Sequence, residues 1–404
     1  MSVRPMPDSA ALRAKAAEPK SIAIAGIVLG VLAFFLVIPP ITTRSIVGPI
    51  VVGVAAMAFG FWAVRGGAGR VGWGAVAAGV IGLVLGIVAT RSSVGNLNQV
   101  FTASLIADML SFATPLTFGA IGGMVSERSG VVNVGLEGMM LMGAFWGVYG
   151  AAVSGSWVVG VLVAAFSGGA MALVHAYFAI HLRADQIISG MAMNFLALGI
   201  TGYFYYQLEH GGYLSTNVKI PNVSIPYVKD WSFVGPAIGN LNLGIWAAIA
   251  CVPLSYVVLF KTPLGLRIRA CGEHPRAADT VGINVYGIRY GAVVVSGMLA
   301  ALGGVYLTDG FVHGVFNENV TAGRGFIALA AMIFGNWKPF GAFGAACLFG
   351  LSTALASSGR LTVYSPNGAI LFQTLPYILT LIAVAGIIGR TIPPAADGRP
   401  YKKQ

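Results

Sequence analysis

The chain has 404 residues, of which 57% are hydrophobic and only 9% are charged, and its formal net charge is +11. Soluble globular domains carry about 25% charged residues, so this composition argues against a soluble protein. The apolar runs are continuous and lack the two-residue alternation of a membrane barrel. The sequence therefore predicts an all-α polytopic membrane protein.

Two further function classes find no support in the composition. The cationic residues are not gathered on a soluble domain, as a nucleic-acid-binding protein would require. The three cysteines form no C-x-x-C pair, and the five histidines are scattered, so we expect neither disulfides nor a metal site.

The chain begins with about 20 polar, basic residues, and the first apolar run follows at Ser21–Ile38. No clear small-x-small cleavage site follows this run, so we interpret it as a spanning helix and not as a cleaved signal peptide. Residues 1–95 are predicted to be an N-terminal extension with three transmembrane helices. Residues 96–390 carry nearly all the polar groups within spans and form the predicted core, and residues 391–404 form a tail.

Roughly 20 apolar residues cross a bilayer, and about 11 to 12 segments of this chain satisfy or approach that requirement. The predicted spans are 21–38, 45–64, 71–90, 101–125, 131–152, 157–180, 187–207, 241–260, 290–310, 326–337, 341–358 and 368–389. The tenth is too short to cross alone, which predicts a half-helix or a pairing with its neighbour.

The distribution of positive charge predicts the orientation. With the N-terminus inside, cytoplasmic segments hold 18 of the 24 Lys and Arg residues, and outer segments hold six. This bias follows the positive-inside rule and places both termini in the cytoplasm.

Polar groups within the spans are functional candidates, because charge inside a bilayer is costly unless it is paired or hydrated. Glu137 and Asp309 are two such acids, and Asn133 lies four residues before Glu137, which predicts a shared helix face. A role in the solute pathway and a structural hydrogen bond are both open for Glu137.

Gln186 and Asn194 lie eight residues apart at the start of the seventh span, close to two helical turns. Their amides suit a neutral polar solute, although hydrogen bonding between helices explains them equally well. Phe145 is one of several aromatic residues that could stack on a planar ligand. The long outer loop 208–240 is either a lid or docking surface, or a plain connector.

The segment 261–289 is polar and basic and lies between two apolar spans. Within it, residues 276–282 predict a short helix with small residues on one face, which suits docking into a groove of a soluble partner. A membrane protein that offers such a helix to the cytoplasm is predicted to take its energy from a cytoplasmic ATPase. The chain itself has no G-x-x-x-x-G-K-[ST] phosphate loop.

Two stretches that join Arg and Gly to an apolar run begin on opposite sides of the membrane, at residues 128–131 and 323–326. This arrangement indicates an inverted repeat with a central site.

Residues 99–390 resemble the permease subunits of bacterial ABC importers, in the branch for branched-chain amino acids, ribose-type sugars and nucleosides, with most similarity to nucleoside permeases. The stretches that carry the resemblance are SERSGVVNVGLEGMMLMGAF (126–145), LRADQIISGMAMN (182–194), GEHPRAADTVGINVYGIRY (272–290) and TAGRGFIALAAMIFGNW (321–337).

The resemblance implies a second permease subunit, two cytoplasmic ATPases that bind ATP and Mg²⁺, and an external solute-binding lipoprotein. The family's coupling motif begins E-A-A-x-x-x-G, and here Arg276 stands where Glu is usual. The coupling helix with its flanks is expected to comprise Glu273, His274, Pro275, Arg276, Ala277, Ala278, Asp279 and Gly282.

The resulting hypothesis is an importer permease in the plasma membrane that moves a small polar solute and is not an enzyme. One alternative is a proton-coupled secondary transporter with Glu137 or Asp309 as the proton carrier. A second alternative is a membrane scaffold that transports nothing.

Overall fold

A computed structural model describes residues 18–36, 45–91, 102–208, 214–232, 234–311, 314–357 and 392–403. The chain forms two compact units, Met1–Ala103 and Ser104–Gln404, which are described separately. The division into a three-helix extension, a core and a tail at residues 95 and 390 stays a prediction.

Within its described residues, the first unit has three helices, α1 (Pro19–Phe35), α2 (Val47–Arg65) and α3 (Gly69–Arg91). They pack through small side chains, and the alanines that are fully buried in this unit are Ala23, Ala33, Ala56, Ala63 and Ala75. Small residues let helix backbones approach closely, which is the usual packing of helices in a membrane.

The second unit is also built from helices. They are α4 (Ala103–Arg128), α5 (Leu136–Ser154), α6 (Trp157–Ala176), α7 (Gln186–Leu208), α8 (Leu243–Lys261), α9 (Pro263–Glu273), α10 (Pro275–Thr280), α11 (Val285–Val305), α12 (Arg324–Phe334) and α13 (Pro339–Ser357). Short π-helical segments, Tyr177–His181 and Tyr306–Phe311, extend α6 and α11. Before α8, β1 (Asn222–Ser224) pairs antiparallel with β2 (Asn240–Asn242).

The core of this unit has two main clusters. One surrounds Phe145 on α5 and includes residues of α6, α7 and α11. The other joins α4, α8, α12 and α13 around Met332 and Phe349. These clusters hold α5 and α12 in place, and the beginnings of both helices lie at the candidate pathway residues.

The predicted all-α polytopic fold is confirmed, since eight helices within the described residues are long and apolar enough to cross a membrane. α12 has only 11 residues, as its short apolar run predicted. The predicted span 368–389 lies outside the described residues. The prediction for 131–152 was wrong at its beginning, because the helix starts only at Leu136.

Candidate functional site

Several connecting segments meet at one end of the second unit, which we call the Arg128 end. Arg128, the last residue of α4, donates from Nη2 to the carbonyl oxygen of Trp337 at 2.8 Å. The Trp337 indole N–H donates to Glu127 Oε2 at 2.6 Å. Ala396 N–H donates to the Gly272 carbonyl at 2.8 Å. The first two bonds join the end of α4 to the turn before α13, and the third joins the segment 261–285 to the C-terminal tail.

The short helix predicted within 276–282 forms as α10, Pro275–Thr280. Proline suits the first turn of a helix, because its missing N–H would have no partner there. Gly282 follows with φ of +82°, a conformation that favours glycine and ends the helix. The Asn284 side chain then accepts from Gly287 N at 3.0 Å and caps the start of α11. Pro275 and Gly282 therefore mark the start and end of α10, and Asn284 marks the start of α11.

The exposed surface of α10 differs from the predicted one. Ala278 is only 3% exposed and packs in a cluster with Cys271 and Val285, so it does not belong to a free small-residue face. Arg276 and Ala277 are exposed. Val281, just after the helix, is 74% exposed. The surface left for a partner is therefore cationic and apolar, and one of its two alanines faces inward.

The C-terminal tail 392–403 lies across this segment. Besides the Ala396 bond, Ala395 N–H donates to Glu273 Oε2 at 3.2 Å. Tyr401 is 6% exposed, and its ring lies 5.5 Å from the Tyr286 ring. Lys403 Nζ lies 3.9 Å from Asp279 Oδ1. The sequence indicated only a tail, whereas the structure makes it a packed part of the Arg128 end.

Arg289 is a buried residue that binds the C-terminal tail. The sequence counted it among the cations of a polar segment, but it lies within α11 and is 1% exposed. Its Nη1 donates to the Arg399 carbonyl at 3.1 Å, and its Nη2 to the Cys271 carbonyl at 3.4 Å. Its guanidinium lies 6.0 Å from the centre of the Tyr401 ring. One buried guanidinium therefore holds both the tail and the end of α9.

Asp397 makes the attachment of the tail sensitive to pH. Burial raises the pKa of the Asp397 carboxyl from 3.8 to a net value of about 7. Hydrogen bonds from Glu127 and the Gly398 backbone, and the charge of Arg289, offset only part of this rise. A detached tail would have the ordinary pKa, so between about pH 4 and pH 7 the attached tail binds more protons than the detached one. Attachment is therefore strongest below about pH 4 and weakens as the pH rises to about 7.

We expect Asp397→Asn to remove most of this pH dependence, because an amide resembles the protonated carboxyl. A spin label on Lys402→Cys should become more mobile from pH 5.5 to pH 8.5 in the otherwise unaltered chain, and much less so beside Asp397→Asn. Asp230→Asn, in the turn Val228–Asp230, is the matched control and should keep the original profile. Equal mobility at both pH values in the unaltered chain would contradict the assignment.

The predicted shared helix face of Asn133 and Glu137 is wrong, because residues 131–133 are not helical. Asn133 Oδ1 accepts from Gly135 N at 3.1 Å, and its Nδ2 donates to Ser296 Oγ on α11 at 3.0 Å. The Asn133 side chain therefore accepts the Gly135 N–H, which in a continued helix would donate to a backbone carbonyl instead. Asn133 is fully buried and fixes the non-helical approach to α5.

Gln186 and Asn194 both face this approach from α7. Gln186 Oε1 accepts from Val132 N at 2.8 Å. Asn194 Oδ1 accepts from Gly138 N at 2.8 Å, and its Nδ2 donates to the Val134 carbonyl at 3.1 Å. Both residues are buried, and Gln186 Nε2 has no hydrogen-bond partner among the described residues. Three of the four polar atoms of these two amides therefore bind backbone groups, and the role of the two residues toward solute stays a prediction.

His175, which no sequence motif indicated, completes this network. It is fully buried on α6, with Nε2 3.0 Å from the Val132 carbonyl and Nδ1 3.0 Å from Ser189 Oγ. A lone His in an apolar run gives no sequence signal of its partner. Its two contacts join α6, α7 and the approach to α5.

Glu137 joins the beginnings of two helices. Its Oε1 accepts from Gly323 N at 2.8 Å and its Oε2 from Gly325 N at 2.6 Å. These groups begin α12, where free N–H groups and the helix dipole favour a carboxylate. A Cβ on Gly325 would lie 2.5 Å from Glu137 Cα, so only glycine permits this approach. The starts of α5 and α12 therefore meet at Glu137, while the inverted repeat itself stays a prediction.

The last two predicted pathway residues differ in position. Phe145 is fully buried, and its ring lies edge-on to Trp146 (5.2 Å) and Phe316 (5.0 Å). A solute would reach it only if this aromatic cluster opened. Asp309 belongs to the segment Tyr306–Phe311, and its side chain lies outside the described part of the structure.

Comparison with known proteins assigns the family. Residues 105–384 match the family described as branched-chain amino acid transport system / permease component. The chain belongs to this family. No solved structure matches it significantly.

Three curated relatives are named as ABC transporter permeases. Over 314 residues the chain is 43% identical to the guanosine ABC transporter permease protein NupQ of Bacillus subtilis, covering 74% of this chain and 96% of that protein. It is 39% identical to the nucleoside ABC transporter permease protein NupC of Lactococcus lactis, with the same coverage. It is 33% identical to a putative glucose ABC transporter permease protein of Haloferax volcanii, covering 72% and 93%.

Proposed function

We propose that this chain is the permease subunit of an ABC importer that moves a nucleoside, or a related ribose-type sugar, across the plasma membrane. The observation that carries the proposal is the 43% identity to a guanosine permease over 96% of that protein's length. The 39% identity to a nucleoside permease supports the same solute class. The more distant putative glucose permease keeps sugars within the range to be tested.

The Arg128 end suits contact with a cytoplasmic ATPase. Positive charge in the surrounding segments favours the cytoplasmic side, and α10 is exposed there through Arg276 and Ala277. We assign ATP and Mg²⁺ to the ATPase and no covalent chemistry to this chain. A second permease subunit and an external solute-binding lipoprotein would complete the importer.

The contacts at this end provide a route for mechanical coupling. When the ATPases close, a displacement of α10 would reach α4 through Gly272, the tail and the Trp337 turn, which are bonded to one another. It would reach α11 through Arg289, which holds the end of α9. ATP binding would then stabilise one of two states of the bundle more than the other, which is what transport requires.

The test is uptake by the reconstituted importer with its ATPase and binding protein. We expect labelled guanosine to enter vesicles only with ATP, and uptake to stop when the phosphate-loop lysine of the ATPase is replaced. Unlabelled nucleosides should compete better than ribose or glucose. Uptake that survives the ATPase variant and collapses with a protonophore would support the secondary transporter instead. ATP-driven uptake of glucose without uptake of guanosine would contradict the proposed nucleoside and assign a hexose as the solute.

A further inference from the structure

A groove of about 520 Å³ lies between α10 and the C-terminal tail. One wall belongs to the coupling segment and the other to the tail. Its lining residues are Glu273, His274, Pro275, Arg276, Ala277, Ala395, Ala396, Arg399, Pro400, Tyr401 and Lys402. The volume is enough for several side chains of a partner.

The tail wall of the groove is firmly held. Main-chain groups of Ala395, Ala396 and Arg399 are all hydrogen-bonded to residues of α9 or α11. Tyr401 is 6% exposed and is packed against Tyr286. Arg399 makes its bond through the backbone carbonyl, and the residue is exposed. The groove is thus a formed surface and not a gap beside a loose terminus.

The rim of the groove is cationic. Arg276, Arg399 and Lys402 are exposed around it, and Glu273 supplies the one carboxylate among the described lining residues. One oxygen of that carboxylate already accepts the Ala395 N–H. Charge complementarity of this kind favours an acidic partner and sets orientation and association rate.

We propose that the tail and α10 together form one docking surface, whose groove receives an acidic segment of the ATPase subunit. This inference rests on the proposed function, because it assigns a second element to the contact that α10 would make. It adds that Arg399 and Lys402, which lie more than 100 residues beyond α10 in the chain, contribute directly to recognition of the ATPase.

The experiment compares recovery of the ATPase with the tagged, full-length chain at about 0.15 M salt, where charges beyond about 8 Å are screened. We expect Arg399→Glu with Lys402→Glu to lower the affinity about ten-fold, because each reversed rim charge changes affinity a few-fold. Both side chains are exposed, so the fold should stay intact, as a size-exclusion profile would show. Arg65→Glu with Arg183→Glu is the number-matched control and should recover the ATPase normally.

A crosslink identifies the occupant. A photoreactive group on Lys402→Cys should attach to an acidic segment of the ATPase, and replacing those acids with Lys should restore binding to the charge-reversed chain. Ala277→Asp serves as a reference for loss of the α10 contact. Recovery unchanged by the tail reversal but lost with Ala277→Asp would overturn this inference alone.

Two other outcomes have distinct meanings. If the unaltered chain recovers no ATPase, the proposed function fails as well. If the tail reversal weakens binding to vesicles of anionic lipid but not to the ATPase, the groove meets lipid headgroups and the inference is overturned.

Discussion

Gly325→Ala is expected to destabilise the protein by about 3 kcal/mol or more and to abolish solute uptake. An added Cβ would lie 2.5 Å from both the backbone nitrogen and Cα of Glu137 and 2.8 Å from its Oε2. Backbone atoms cannot rotate away, so α12 would have to move from α5, and overpacking costs typically about 1–3 kcal/mol and occasionally more. The movement would also break the two bonds from α12 to the Glu137 carboxylate.

The matched control is Gly344→Ala on the neighbouring helix α13. No described atom lies within 4 Å of the Cβ that it would add, and alanine is the better helix former by about 1 kcal/mol. We expect unchanged uptake and equal or higher thermal stability in detergent. If the two variants behave alike, the close contact of α5 and α12 does not exist in the working protein.

Glu137→Gln should have the second largest effect, a loss of about 2 kcal/mol in stability and about ten-fold in uptake. Glutamine keeps the shape but offers an NH₂ group to one of two backbone N–H donors, so a bond to a charged acceptor is lost. It also removes the negative charge at the start of α12. The residual uptake should still depend on ATP.

The Glu137 experiment also separates a positioning role from proton carriage. Glu318→Gln, at an exposed carboxylate seven residues before Gly325, is the control and should match the unaltered chain. Uptake by Glu137→Gln is expected to fall equally at every pH. A variant with full thermal stability whose uptake no longer varies with the proton gradient would instead favour the proton-coupled transporter.

The sequence predicted those features that depend on local composition. Apolar runs of sufficient length predicted the helices that cross, and an apolar run of a dozen residues correctly predicted that α12 is short. The stretch 276–282 predicted a short helix, which forms as α10 at Pro275–Thr280. The residues that carry the family resemblance also lie in continuous stretches, so recognition needed no three-dimensional information.

The misses depend on residues far apart in the chain. Helical spacing of Asn133 and Glu137 misled, because the backbone of Val132 is bonded to Gln186 and His175 on other helices. The partners of Glu137 lie 186 and 188 residues away. Nothing in a basic stretch distinguishes a buried arginine such as Arg289 from an exposed one, because the difference is made by the tail that covers it.

The position of the tail has a consequence for how the importer is made. Residues 392–403 form one wall of the groove at the Arg128 end, and they are synthesised after every helix described above. The spanning helices are already synthesised by then, whereas the surface proposed for the ATPase is still incomplete. A chain terminated before residue 392 would therefore enter the membrane without a finished docking surface, and ATPase subunits would assemble preferentially on permeases that carry the tail.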